Sequence, residues 1–213
     1  QAEGRYLLFL NSDIVVLEEG IADLLAYFKS REPNLQFLGG KLLNADMSPQ
    51  ASCGPFYSLP VIFGALFLRG DYWGFTRYSP NTDRRVDWVS GACILTKKEI
   101  FESLKGFDEN IFMYMEEIDL LYRASRKGYL TYFTPQAKFI HLGSSSSGGR
   151  TYPIIQVYRG FMYFYRKHHP QSMLFLKLML KLKAVTAIMI GRTIQNNYLV
   201  NTYEKAYQIA STA

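Results

Sequence analysis

The stretch "RYLLFLNSDIVVLEEGIADLLAYFKSREPNLQFLGGKLL", residues 5–43, carries the reading of the fold. It opens on a continuous apolar run, Tyr6 to Leu10, of the kind buried on both faces of a parallel sheet. A polar triplet, Asn11-Ser12-Asp13, interrupts it, and "IVV" follows. Ile21, Leu24, Leu25 and Phe28 then recur at helical spacing, with Lys29 and Arg31 near the end and Pro33 beyond. "LQFLGGKLL" is a second strand, whose Gly39-Gly40 pair marks a bulge or a close backbone approach. Strand, helix, strand in this order predicts a parallel α/β arrangement.

Working outward, residues 44–85 are rich in Pro and Gly and read as a long excursion with a short helix near "LPVIFGALFL". "VDWVSGACILTKKEIFESL" is a strand feeding a helix. Thr96 and Glu99 have capping-box spacing there, and Gly106 closes the helix. "FMYMEEIDLLYRASRKGY" gives a third helix, stopped by Gly128. "YLTYFTP" and "AKFIHLG" read as two short strands. The run "SSSSGG", residues 144–149, reads as flexible and marks a boundary between a domain at 1–150 and a tail at 151–213. Three helices are predicted in the tail, at about 151–168, 171–192 and 196–211.

Charge follows the same division. Residues 1–149 hold 15 Lys+Arg against 17 Asp+Glu, whereas residues 150–213 hold 9 against a single acid, Glu204. The basicity therefore belongs to the tail and suits an anionic partner. The tail's aromatics read as helix-packing residues and not as an exposed stacking platform, so nucleic acid is not expected as a partner. Cys53 and Cys93 have no metal or redox spacing, which suits a reducing, cytoplasmic compartment.

Three features carry candidate chemistry. In open α/β sheets ligands gather beyond the carboxyl ends of strands, where Asp13 sits. A carboxylate there suits a divalent metal bridging a diphosphate, although an isolated Asp is more often a turn or cap residue. Glu116, Glu117 and Asp119 cluster at a helix start, where the dipole favours the ionised form that a general base needs. Asp119 and Arg123, four apart, share a helical face and suit a structural pair. His141 closes a strand; a lone His is more often structural, but this one is placed to reach a metal or phosphate.

Taken in order, strand–"NSD", "WVSGACILTKKEIFESLKGFDENIFMYMEEIDLLYRASRKGY" and "FIHLGSSS" resemble the family-2 glycosyltransferases of GT-A fold, in their rhamnosyltransferase-like branch. The resemblance runs from residue 5 to about 169 and is most specific over 87–146. It implies a Rossmann-like, mostly parallel α/β sheet with a C-terminal helical tail. It implies metal-dependent, inverting transfer from a nucleotide-sugar donor to a glycan or lipid-linked acceptor in bacterial cell-surface polysaccharide synthesis. "NSD" occupies the family's D-x-D position, so Asp13 looks like the ligand of Mg²⁺ or Mn²⁺, with Asn11 in place of the first Asp and His141 as a further ligand. Trp88, Ser90, Gly91 and Ala92 match the loop lining the donor sugar and acceptor. "MEEID" matches the motif whose second acid is the general base. That position is Glu117, beside Glu116, with Asp119 on the helix that follows and in the substrate-binding set.

The same resemblance implies that strands preceding the D-x-D strand, which hold the nucleotide, are absent from these residues. Little turnover is then expected of the chain by itself. An apolar strand edge left open also favours pairing with another copy, as a homo-oligomer. A catalytically inactive binding or scaffold module is the rival expectation.

The tail adds one more. In "QSMLFLKLMLKLKAVTAIMIGR", residues 171–192, Lys177, Lys181 and Arg192 fall within about 60° of one another on a helical wheel. Apolar residues fill the stripe between. Such a helix suits an anionic membrane surface, predicting peripheral attachment at the inner face of the plasma membrane.

Overall fold

The apolar run ends where its pattern does. In the computed structural model of the chain, which describes residues 2–143 and 151–212, strand β1 covers Tyr6–Leu10, and the polar triplet follows as a turn. Then come β2 (Ile14–Val16), α1 (Gly20–Arg31) and β3 (Phe37–Leu43). The excursion holds β4 (Pro49–Gln50), β5 (Cys53–Gly54) and α2 (Leu59–Phe67). Next are β6 (Arg84–Val86), β7 (Trp88–Val89), β8 (Cys93–Lys97), α3 (Lys98–Ser103), α4 (Glu116–Arg126) and β9 (Thr131–His141). The tail holds α5 (Thr151–His168), a 3-10 turn (Pro170–Ser172), α6 (Met173–Thr193) and α7 (Asn197–Ser211). The Ser/Gly run at 144–149 lies outside the described residues.

The chain divides into two compact units, Gln1–Asp108 with Glu116–Ser145, and Glu109–Met115 with Ser146–Ala213. The first is built on a sheet of order β1-β8-β3-β9-β2, with β4 paired to β3 and β6 to β9. It is mixed, not mostly parallel: β3 and β9 pair in parallel, and β8 runs antiparallel between β1 and β3. The strand–helix–strand pattern nevertheless fixes direction, because β1, β3 and β9 all point the same way. What periodicity does not show is that the later strand β8 inserts between the first two. β1 consequently has a partner on one edge among the described residues, and each of its residues is half-buried instead of fully enclosed.

The core explains the helix phase and the glycines. Leu24, Tyr27 and Phe28 of α1 are buried in one cluster with Leu38, Leu42 and Phe139 from the sheet. β3 is buried along its whole length. A Cβ on Gly39 would lie 2.6 Å from Val89 Cβ, and one on Gly40 would lie 2.6 Å from Phe139, so neither position has room for a side chain. The two short strands expected around Pro135 form one strand with a register shift. Gly40 pairs with Thr134 and Lys41 with Lys138, so the residues around the proline, which cannot donate to the ladder, are looped out.

The expected capping box does not form. Lys97 pairs with Tyr6, which holds the chain in β8, and buried Thr96 donates its hydroxyl to Gln36 O at 2.8 Å. Gly106 (φ +67) and Gly128 (φ +81) adopt the left-handed conformation that ends a helix. Cys53 and Cys93 are buried free thiols, and burial pushes each up to about 12.

In the second unit α6 presents a narrow edge of Leu176, Leu180, Ala184, Ala187 and Gly191 to the interior. Gly191 packs against Leu199 and Val200 of α7, and Asn196 caps α7 by accepting from Leu199 N at 3.0 Å. Tyr158 of α5 donates to Leu180 O at 3.1 Å, and its ring meets Tyr203 edge-on. Among the described residues, no helix is long and apolar enough to cross a membrane.

Candidate active site

Two ladders bring the polar triplet and the distant histidine together. Ile14 pairs with His141 in the β2–β9 register, and Leu142 N donates to Asp13 O at 3.0 Å. The side chains follow: Asp13 Oδ1 lies 3.4 Å from His141 Nε2, and Asn11 Nδ2 lies 3.4 Å from the same nitrogen. The ring is oriented by a residue that the sequence did not mark. Gln50, paired to β3 through Leu42, donates its Nε2 to Asn44 Oδ1 (2.9 Å) and to His141 O (3.3 Å). Its Oε1 therefore faces His141 Nδ1 at 2.7 Å and accepts a hydrogen bond from it.

With Nδ1 donating to Gln50, the ring turns Nε2 toward the Asp13 carboxylate and the Asn11 amide. Nε2 and the Asp13 carboxylate, two groups able to ligate a divalent cation, thus lie side by side with the Asn11 amide. That is the arrangement by which an outer partner fixes a metal-binding imidazole. The donor set of a carboxylate, an imidazole and the Asn11 amide fits a divalent cation. Among the described residues no group of three or more His, Cys, Asp or Glu is gathered, so Asp13 and His141 form a pair. Such a pair suits an ion that completes its shell with water and phosphate oxygens.

The loop after β7 links this pair to the acidic cluster. Asn11 N donates to Ala92 O at 3.3 Å, because β1 pairs Leu10 with Cys93. On the other side of that loop, a Cβ on Gly91 would sit 3.6 Å from Glu117 Cβ, and the Gly91 backbone hydrogen-bonds the Glu117 carboxylate. Gly91 thus lets the loop lie directly on the acid. Ser90 Oγ accepts from Ala92 N at 3.3 Å and steadies the turn.

Helix α4 begins at Glu116 because the chain cannot be helical before it: Tyr114 (φ +61) and Met115 (φ +80) hold positive φ. Such conformations persist only where surrounding structure enforces them, and they gather at functional sites. Buried Ile118, Leu120, Leu121 and Ala124 fix the helix phase. Glu116 and Glu117 stand in the first turn, and each has an Oε2 that is shielded from solvent without a hydrogen-bond partner. The dipole's preference for charge is outweighed here. Burial first, then the neighbouring Glu116 charge, push Glu117 up to about 7, against the Gly91 hydrogen bond and the Arg77 charge. Burial raises Glu116 as well.

Two expected substrate contacts are structural instead. Asp119 is 0% exposed and is held by Arg123 Nε at 2.7 Å. Arg123 also donates to Leu104 O and, at 2.7 Å, to Gly106 O, so the pair ties α4 to the end of α3. Trp88 is buried, donates Nε1 to Pro55 O at 2.8 Å and stacks on Tyr57, which removes its side chain from any open surface. Ala92 is also buried, leaving its backbone as the contributing part. Sequence reasoning missed Gln50 and Arg77, which lie in the irregular excursion where no periodicity or motif singles them out.

No family model matches the chain. It is 33% identical over 137 residues to N-acetylglucosaminyl-diphospho-decaprenol L-rhamnosyltransferase of Mycobacterium tuberculosis, covering 61% of this chain and 44% of that protein. It is 32% identical over 143 residues to rhamnosyltransferase WbbL of Escherichia coli, covering 66% of this chain and 53% of that one. The chain thus spans about half the length of these relatives. Among solved structures, it superposes on the mannosyltransferase PcManGT of Pyrobaculum calidifontis with a TM-score of 0.51 at 13% identity, over 98% of this chain and 61% of that one. With the polar turn, the loop and the paired acids assembled in one sheet-based unit, the chain is similar in sequence to these rhamnosyltransferases and in fold to the glycosyltransferase on which it superposes.

Proposed function

We propose that the protein transfers a sugar, by the relatives' names a rhamnosyl group, from a nucleotide-sugar donor to a glycan or lipid-linked acceptor in cell-surface polysaccharide synthesis. The observation that carries this is Glu117. Its shielded, unpartnered oxygen lies beside the Ser90–Ala92 loop, which also abuts the Asn11–Asp13 turn. A carboxylate poised near neutrality can accept a proton efficiently at neutral pH. Glu117 takes the proton of an acceptor hydroxyl, which displaces the donor's diphosphate in line and inverts the anomeric centre. Glu116 keeps Glu117 basic through its charge. Asp13 and His141 would hold Mg²⁺ or Mn²⁺, which when bound offsets charge on the departing diphosphate. Ser90, Gly91 and Ala92 offer backbone to the sugar, and Gln50 keeps the His141 ring in place. In the full-length protein, Glu117→Gln is expected to lower turnover by at least about 10²-fold with donor affinity near normal. Turnover within a few-fold of the parent would remove Glu117 from the role of base.

Attachment to a membrane surface is part of the same reading. The outward face of α6 carries Leu174, Phe175, Leu178, Leu182, Val185 and Met189, all exposed, and Lys177 and Lys181 flank it. An apolar face with cations at its margin suits the boundary of an anionic bilayer. The protein is expected to sediment with anionic liposomes at low salt and to be released at high salt. Indifference to such liposomes at low salt would leave this face to a protein partner.

A further inference from the structure

The excursion of the sheet-based unit carries a surface that neither the transfer chemistry nor α6 uses. From Ser58 to Leu68 the sequence has no charged residue, and α2 runs through this stretch. A helix that apolar belongs inside a domain, yet Ile62 is its one buried residue. Phe63 and, just past the helix, Leu68 are exposed. The chain then turns back sharply. Arg69 holds φ +53, and a Cβ on Gly70 would lie 2.8 Å from Thr76 Cγ2 and 2.9 Å from Gly64 C. This turn displays Tyr72, Trp73 and Phe75, which are 63–75% exposed. Five large apolar side chains therefore stand in water on one tightly folded helix and turn, as at an interaction site.

Two observations say what covers them. The first is the backbone. Tyr72 N and Trp73 N donate to Arg69 O, at 2.9 and 3.2 Å, and Gly74 N donates to Asp71 O at 3.4 Å. Phe75 N and Thr76 N donate to Gly70 O, at 2.8 and 3.4 Å. A turn whose amides are satisfied from within can enter a medium that offers no hydrogen bonds, whereas a docked protein draws on direct hydrogen bonds across its interface. The second is charge. The Asp71 carboxylate is held by the Thr76 hydroxyl, while the Arg69 guanidinium lies 4.7 Å over the Tyr72 ring and faces no carboxylate there. A cation at the base of an aromatic tip matches lipid phosphates lying above the boundary layer in which Trp and Tyr gather.

We infer that α2 and the turn at 68–76 enter the interfacial layer of a phospholipid bilayer, with Leu68, Trp73 and Phe75 at the acyl boundary and Arg69 on the lipid phosphates. The inference rests neither on the transfer reaction nor on α6. It gives the sheet-based unit a membrane contact of its own.

Trp73 is its own reporter. The chain's other tryptophan, Trp88, is buried and hydrogen-bonded to Pro55 O, so a change in emission on adding lipid comes from Trp73. The test is the fluorescence of the full chain with saturating vesicles of phosphatidylcholine and phosphatidylglycerol at low salt. The emission maximum should move to the blue by about 10 nm, and lipids brominated on their acyl chains should quench about half of the emission, as entry of the ring to the acyl boundary requires. Leu68→Glu and Phe75→Glu alter exposed positions and should keep the parent's circular dichroism. Each should lower the quenching by at least about 3-fold, because a carboxylate opposes entry. A parent that sediments with the vesicles while Trp73 stays unshifted and unquenched overturns the inference and leaves the α6 reading standing. A chain that ignores the vesicles overturns both. A blue shift that appears without lipid as the chain is concentrated would give the surface to a second copy, and one produced by dextran would give it to a glycan; either result overturns the inference. Leu178→Glu, on α6, should leave the entry of Trp73 in place, and its sedimenting like the parent would defeat the α6 attachment alone.

Discussion

Glu117 is held at the cost of fold stability. Its carboxyl keeps a proton in the folded chain to higher pH than in the unfolded one, because burial and Glu116 raise it to about 7. The folded state therefore binds more protons between the ordinary glutamate range and neutrality, and stability falls as pH rises through that window. Glu117→Gln removes the charge but not the shape. It is expected to raise the unfolding free energy by about 1–3 kcal/mol at pH 8 and to change it little at pH 4.5, as read by urea titration at both values. Equal effects at the two pH values would mean that the carboxylate is not destabilised by its surroundings. Asp119 shows the opposite design. It is fully buried but matched by Arg123, so Asp119→Ala leaves a guanidinium without its partner and should lower stability by about 3–5 kcal/mol. Both acids could be picked from the sequence, and the four-residue spacing already pairs Asp119 with Arg123. That pairing, and not substrate contact, is its role. The protonation of Glu117 could not be read in advance, because it depends on how closely Gly91 lies against the helix, a distance that no local pattern encodes.

At the scale of elements, the site depends on strands that meet from far apart in sequence. β2 and β9 bring Asp13 to His141, while β4 brings Gln50 to the back of the same ring. The apolar run, the α1 stripe and the stops at Gly106 and Gly128 were legible because each is a local rule of period or backbone freedom. The insertion of β8 and the role of Gln50 were not, because both depend on pairing across tens of residues. The same logic locates a fragile point in α5. A Cβ on Gly160 would meet Met115 Cγ at 2.7 Å and Tyr114 O at 3.0 Å, the two residues held at positive φ before Glu116. Gly160→Ala is expected to cost about 1–3 kcal/mol, seen as a lowered Tm. A Tm equal to the parent's would show that this packing gives way freely.

For the whole molecule, the two units divide the work that the account assigns. On the proposed reading the sheet-based unit carries Asp13, His141 and Glu117, and the helical unit carries an apolar outer face. The charge asymmetry of the sequence suits an anionic partner for the tail, and composition alone does not say which. In the proposed reaction Glu117 is the base and its neighbours tune it. The pH dependence of kcat/KM tests this most directly, measured for the full-length parent, Glu116→Gln and Arg77→Met. The acid limb of the parent should fall at about 7. Glu116→Gln removes a like charge and should move that limb down, and Arg77→Met removes an opposite charge and should move it up. A limb that stays in place in both variants would contradict the account.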